Sequence, residues 1–458
     1  MKAIIVGYGS ISTALLPILT KELGQVFSKI IIIDPKNPSA PGCISGLTFV
    51  QSAVTKDNYK ELLSTVDSET FVINLSVDVS SIDLVAYCQE RGALYIDTCI
   101  EPWGGHYVDP SIEASSRTNY ALREAMLALR KQFPTGPTAV IAHGANPGIV
   151  SHFIKKALHN LKSTLIPDDD EAPRTRQDWA ALASKLSIRT IHIAEHDTQL
   201  PLEPKRPNEF VNTWSVDGFI SEGCQPAELG WGTHEDGLPL DAQEHHNGSR
   251  CAIYLNKPGA SVRVKTWTPA QGPCLGFLIT HNESISIADY LTHIENGEVV
   301  YRPTVHYAYH PCGDAILSLH EFNGRSWQPQ ESKRVLSGTE IASGADFLGV
   351  LLMGHANNAY WLGSTLSNHE AKKIDGLCSA TSLQVVAGVV SGIKWALANP
   401  QQGIVEADEI DFEAILDYAR PYLGEVVGVY TDWSPIKDDQ GLFPRKSNDA
   451  WQFENFLA

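Results

Sequence analysis

Residues Val211 to Gly223, VNTWSVDGFISEG, contain no lysine or arginine. The whole chain is short of both, with 35 of them against 53 aspartates and glutamates, and its formal net charge is −18. Binding nucleic acid phosphates needs a basic stripe, and none is visible, so no nucleic acid partner is expected. An acidic surface serves either solubility or the attraction of small cations. No apolar run approaches the roughly twenty residues of a membrane span. The N-terminal MKAIIVGYG enters a strand-like run directly, without the longer apolar segment and cleavage site of a signal peptide. A cytoplasmic protein without membrane contact is expected. The eight cysteines, at 43, 88, 99, 224, 251, 274, 312 and 378, include no Cys-x-x-Cys pair and are expected to be reduced and structural. The sixteen histidines include no HExxH spacing. In Glu244-His245-His246 adjacent side chains diverge, so no metal site is expected. Internal repeats and low-complexity tracts are lacking too. At 458 residues, 43% hydrophobic, the chain is too long for one compact core, and two or three domains are expected.

What is present begins with Ala3 to Val6, a short apolar run ending in Gly7-Tyr8-Gly9-Ser10-Ile11-Ser12. A helix-like stretch from Thr13 to Leu23 follows, then a second apolar run, Lys29 to Ile33, that stops at Asp34. Strand, glycine turn, helix, strand and acid in that order form the dinucleotide-binding arrangement. Gly7 permits the tight turn, and Gly9 lets backbone N–H groups approach a pyrophosphate at the helix N-terminus. Asp34 would accept hydrogen bonds from ribose hydroxyls, which favours NAD over NADP. Ser12 replaces the third glycine and is small enough to keep helix and sheet close, while Pro17 should kink the helix. Further apolar runs at Thr70 to Val77, Leu94 to Thr98 and Thr138 to Ala142 alternate with helix-like segments, as in a Rossmann-type doubly wound parallel sheet. Ligands of such sheets sit beyond the strands' carboxyl ends. NLSVD (Asn74 to Asp78), DTCIE (Asp97 to Glu101) and HGAN (His143 to Asn146) fall there. Each could instead serve loop solvation or helix capping, Asp97 and Ser80 above all. Candidate cofactor contacts are therefore Gly7, Gly9, Ser10, Ile11, Ser12, Asp34, Asn74, Ser76, Thr98 and Asn146.

Beyond Pro147-Gly148 the texture changes. Ile149 to Leu161 reads as a helix, and from Ser187 onwards short alternating runs such as IRTIHIA (188–194) predict a largely antiparallel sheet. The fold class expected is α/β: a nucleotide domain over 1–148 and an α+β domain with a mostly antiparallel sheet over 149–345. Phe347 to Met353 and Ser382 to Leu397 look helical and should complete the first domain within 346–400. Residues 401–458, with Trp433 and Trp451, are expected to wrap the surface.

In the second domain acids gather at element ends: Glu195 in IAEHDTQ, Glu222 in ISEG, His281 and Glu283 in THNES, and Asp346 in SGADF. Singly each reads as surface. Together with Trp214 they describe a pocket for positive charge, since carboxylates pair with ammonium groups and an indole face attracts a cation by ~2 kcal/mol or more when desolvated. Trp214 could equally be a core aromatic. Two acidic clusters would suit a molecule charged at both ends, and Asp217 and Glu222 are both expected to face it.

The motifs VGYGSIS, IIIDP, NLSVDVSS, YIDTCIEPW, HGANPG, IAEHDTQ, NTWSVDGFISEG, GWGTHE and THNESISIADYL resemble those of the bacterial homospermidine synthase family over nearly the whole chain. The resemblance implies a saccharopine dehydrogenase-like fold, a homodimer, a bound and recycled NAD, and putrescine or other small polyamines as substrates. By the same resemblance Trp214 would hold the amine or iminium beside the nicotinamide. Glu195, Glu222, Asn146 and Asp346 would surround the reacting nitrogen. Glu101, His281 and Glu283 would line a channel, with Asp78 near its entrance. A general base must be Glu195, Glu222 or His281, and the sequence does not rank them. A reductive saccharopine- or carboxynorspermidine-type dehydrogenase is the alternative, although its carboxylate substrates need arginines. A non-catalytic NAD-binding redox sensor is the third reading.

Overall fold

A computed structural model describes residues 1–36 and 46–458; Cys43 lies outside the described residues. The first sheet has seven strands, all parallel, in the order Ile404–Glu406, Ala139–Ile141, Leu94–Asp97, Thr70–Asn74, Lys2–Val6, Lys29–Asp34 and Leu47–Gln51. Strand order reverses between Lys2–Val6 and Thr70–Asn74, so a crevice opens there at the carboxyl ends. Ile4, Ile5, Val72, Ile73 and Ile96 are buried, since helices cover both faces of a parallel sheet. The Ser10–Leu23 helix keeps Pro17 inside it. Gly7 sits at φ +91, a conformation a side chain would strain.

The second sheet has ten strands and is mixed. Thr190–Asp197 lies at its centre, parallel to Thr304–His310 on one side and antiparallel to Ala345–His355 on the other. The run Phe347 to Met353, read above as helix, is therefore strand. It is buried on both faces: Leu348, Val350 and Leu352 join the main core, while Leu351 and Met353 pack with Trp361, Trp433 and Phe456. A strand covered on both sides loses the alternation that marks a half-buried one, which is why its apolar run misleads. It pairs with Asn358–Ser367 in the second sheet and adds nothing to the first.

Residues 401–458 are divided rather than wrapped as one segment. Ile404–Glu406 closes the first sheet, Val426–Thr431 is an edge of the second, and Phe453 and Phe456 are fully buried. The Ala380–Ala398 helix is apolar enough by length and composition to cross a membrane, but 78% of its apolar window is buried inside the protein. It packs against the Ser10–Leu23 helix and the first sheet. Gly388 allows this, because a Cβ there would fall 1.9 Å from the carbonyl oxygen of Gly144.

Candidate active site

Where the carboxyl ends of the first sheet meet the central strands of the second, a cavity of about 130 Å³ opens. The first sheet contributes Ile11, Ser76, Thr98, Cys99, Glu101 and Asn146 to its wall; the second contributes Glu195, Trp214, Glu222, His281 and Tyr307. Among the described residues no lysine or arginine lines it.

The nucleotide side follows from local geometry. The N-terminus of the Ser10–Leu23 helix has no side-chain cap, so its first-turn N–H groups stay free. Ser12 is buried and donates to the Gly7 carbonyl at 2.6 Å, tying helix to turn. Asp34 accepts from Tyr8 N–H and Lys36 N–H, each at 2.7 Å, at the end of its strand. Asn74 has a buried side chain that donates to Tyr95 Oη at 3.3 Å and accepts from Ser76 N–H, at the end of its strand. Asp97 accepts from Ala142 N–H at 2.6 Å and Tyr95 Oη at 2.8 Å.

Opposite, Glu195 lies on the central strand Thr190–Asp197, fully enclosed. Its Oε2 accepts from Asn146 Nδ2 at 2.7 Å and from the Tyr307 hydroxyl. Burial raises its pKa to about 7 against those two hydrogen bonds, because a charged carboxylate loses its water. Glu101 is raised to about 8 by burial, with Glu222 and Asp78 adding negative charge. Asp346 is buried behind the wall, accepts from Thr381 and lies against Glu195; burial and the charges of Glu195 and Asp197 push its pKa well up.

His281 stands between two acids. Its Nε2 lies 3.0 Å from Glu222 and its Nδ1 3.2 Å from Glu283. Burial alone would strip its proton, but the two carboxylates hold its pKa well above the ordinary value. Glu283 is wholly buried behind His281 and does not reach the cavity, which corrects its expected place in the channel lining.

Trp214 precedes the Val216–Cys224 helix, whose N-cap is Ser215. The indole is partly exposed, packs on Phe219 at 5.2 Å between ring centroids, donates from Nε1 to Tyr309 Oη at 3.2 Å, and lines the cavity. Glu222 lies two turns along the same helix and faces inward. Asp217 does not: it is exposed and paired with Lys333, since one residue on from Val216 turns to the opposite side. Asp78 is exposed at φ +64, outside the wall, and its carboxyl is raised by partial burial and by the charge of Asp217. Tyr307, Tyr309, Thr381 and Asp197 belong to the site or its support and were not singled out from the sequence. Tyrosines in an alternating strand read as core, although their two-residue spacing put both on one face.

The pattern of the saccharopine dehydrogenase NADP binding domain matches residues 3–140, and that of the saccharopine dehydrogenase C-terminal domain matches 144–431. A homospermidine synthase from Blastochloris viridis is 52% identical over 463 residues, covering 99% of this chain and 97% of its own. The chain belongs to the homospermidine synthase family. A crystal structure of the Legionella pneumophila homospermidine synthase in complex with NAD covers 100% of this chain and 97% of its own, at 45% identity and a TM-score of 0.91. Saccharopine dehydrogenase from Saccharomyces cerevisiae, 12% identical with a TM-score of 0.51 over 93% of this chain and 99% of its own, shares the fold. The two-sheet architecture is thus shared with the Legionella pneumophila structure.

Proposed function

We propose that the chain joins two putrescine molecules into homospermidine with release of ammonia, with NAD as a carrier restored in every cycle. In this reading residues 1–148, closed by Ile404–Glu406 and backed by Ala380–Ala398, hold the dinucleotide, and the second sheet supplies the acids. The observation that carries it is a cavity walled by Glu101, Glu195, Glu222 and the Trp214 face with no lysine or arginine. Carboxylates of a saccharopine-type substrate would meet only His281 there, whose two nitrogens are already engaged by Glu222 and Glu283.

The residues fit a bound dinucleotide. Beside Gly9 a Cβ would meet nothing within 4 Å, and the uncapped helix N-terminus behind it is a place for the pyrophosphate. Gly9, Ser10 and Ile11 would hold the phosphates, Asp34 the ribose, and Ser76, Thr98 and Asn146 the nicotinamide side. When bound, NAD takes a hydride from the amine-bearing carbon and returns it to the Schiff base later in the same cycle.

The rest is the work of side chains. Behind the wall, Oε2 of Glu283 and Oδ1 of Asp346 lie buried without a hydrogen-bond partner, which adds negative potential around the cavity. Glu101 fixes the remote ammonium. Glu195 takes a proton from the reacting ammonium, leaving a free amine whose nitrogen lone pair can support loss of hydride from the adjacent carbon. Among the three candidate bases it is the best placed, because His281 is held protonated and Glu222 is engaged by it. Protonated His281 also offsets part of the charge of Glu222 and Glu283. Trp214 stabilises the resulting iminium through its ring face. A second putrescine nitrogen attacks that carbon and ammonia leaves; Leu75, Val77, Pro147 and Val385 keep the walls apolar and limit water.

The test is mass spectrometry of products from purified protein, putrescine and a catalytic amount of NAD. Homospermidine and ammonia in equal amounts, with no build-up of NADH, are expected. Stoichiometric NADH would favour a dehydrogenase, and no product at all a binding protein. Assembly as a homodimer is part of the same proposal, and sedimentation of the purified protein checks it.

A further inference from the structure

Two tyrosines connect the base of this proposal to its aromatic face. Tyr307 and Tyr309 alternate on the Thr304–His310 strand and therefore share a side. Tyr309 pairs in register with Glu195 on the neighbouring strand. Their rings stack with centroids 5.3 Å apart and planes 8° from parallel. The Tyr307 hydroxyl donates to Oε2 of Glu195; the Tyr309 hydroxyl accepts the indole N–H of Trp214. His281 tilts over the other side of Tyr307 at 4.4 Å. Both tyrosines are buried, at 2% and 0% exposure. Phenylalanine would fill such positions without a polar group to satisfy, so the two hydroxyls need a reason beyond packing.

We infer that Tyr307 and Tyr309 are the positioning pair of the site: Tyr307 holds Glu195 ionised and aimed, and Tyr309 fixes the plane of Trp214. The inference rests on the roles proposed above for Glu195 and Trp214. Because the rings stack, neither can tilt without moving the other, so base and cation-binding face stay in fixed relation. The charged and titratable groups facing Glu195 are His281 at the start of the Asn282–Tyr290 helix, Asp197 on its own strand, Asp346 on the adjacent strand, and the two tyrosines. Asp197 and Asp346 disfavour the anion, as burial does. Tyr307, Asn146 and His281 favour it. Removing the Tyr307 hydroxyl leaves two supports in place of three.

The experiment is the pH profile of kcat/KM for the full-length enzyme with NAD and putrescine, in Tyr307→Phe, Tyr309→Phe and Glu195→Gln. Tyr307→Phe should move the acid limb upward by about one pH unit, since one hydrogen bond to a charged group is worth that much. Site-specific replacement of Tyr307 by 3-fluorotyrosine, a stronger donor, should move the limb down, and it decides the matter if Tyr307→Phe does not fold. Tyr309→Phe should leave the limb in place, lower kcat several-fold at every pH and alter the Trp214 fluorescence, with NAD still bound. Glu195→Gln should abolish the limb. An unmoved limb in the Tyr307 variants, with the limb lost in Glu195→Gln, overturns the role of Tyr307 and spares that of Glu195. A limb that survives Glu195→Gln overturns both. Wild-type kcat in Tyr309→Phe overturns the role of Tyr309.

Discussion

Arg123 and Glu195 are both buried and both ionisable, yet they sit in opposite surroundings. Arg123, on the Asn119–Gln132 helix, is gripped by Glu406 at 2.6 and 2.7 Å and by Asp289 at 2.9 Å. Nearby, buried Glu228 accepts from the backbone N–H groups of Asn119 and Tyr120 and from Thr280 at 2.7 Å. These contacts pin the first helical layer to the second sheet, and every acid in them has a partner from the protein itself. Despite its burial, Asp289 is held below the usual carboxylate range by Arg123 and Arg176. In and behind the cavity wall the acids go the other way: Glu101, Glu195 and Asp346 are all raised, because burial has removed water and neither their hydrogen bonds nor, beside Glu195, His281 makes up for it. Burial without a compensating cation is costly in a finished core; in the proposed reading the substrate nitrogen supplies that cation.

Breaking the satisfied region should have the largest effect. Arg123→Ala leaves Glu406 buried without its cation and Asp289 with Arg176 alone, and should cost about 3–5 kcal/mol of stability, read from denaturant unfolding. Glu195→Gln should do the reverse: kcat/KM falls about 100- to 10,000-fold, as for loss of a general base, while the melting temperature does not drop. If Glu195→Gln destabilises as Arg123→Ala does, the contrast between the regions is wrong. Trp214→Ala should slow turnover about 30-fold, equivalent to ~2 kcal/mol, with NAD retention unchanged on gel filtration.

A subtler test uses pH. The pKa of Glu101 is raised in the fold to about 8, so its contribution to stability is full below its unfolded value and is lost as pH rises through about 8. Wild type and Glu101→Gln should therefore melt together at about pH 4. Above ~8.5 the variant should melt about 2 °C or more higher. Saturating putrescine should close that gap by supplying the missing cation. The smallest effect belongs to Asp217→Asn. Its exposed pair with Lys333 contributes under ~1 kcal/mol, so KM for putrescine should change less than about threefold.

The first sheet could be read from local pattern because each of its signals is local. Gly7, Gly9 and Asp34 act through a turn, a helix end and a strand end that lie within one supersecondary unit. The acids at strand and helix ends were legible for a related reason: Glu195, Glu222 and His281 fall where elements stop, and polar groups there have no core to satisfy. Asn74 and Asp97 carry the same signal and serve backbone N–H groups instead. Only the neighbouring strand distinguishes the two uses. Asp217 shows the limit within a helix, since a start shifted by one residue turns a side chain about 100°. The Ala345–His355 strand was misread because a fully covered strand and a buried helix share one apolar run.

From its sequence alone the chain determined a dinucleotide-type glycine turn with an acid closing the second strand, a surplus of carboxylates over basic residues, and an indole among them. These are properties of neighbouring residues and of composition. Tertiary structure alone decided which carboxylates are stripped of water, which histidine lies between two of them, and which tyrosines bond to the base and the indole. Glu195 meets Tyr307 across 112 positions of sequence and Asn146 across 49. A pKa depends on the atoms within a few ångströms, and the chain brings those together only by folding.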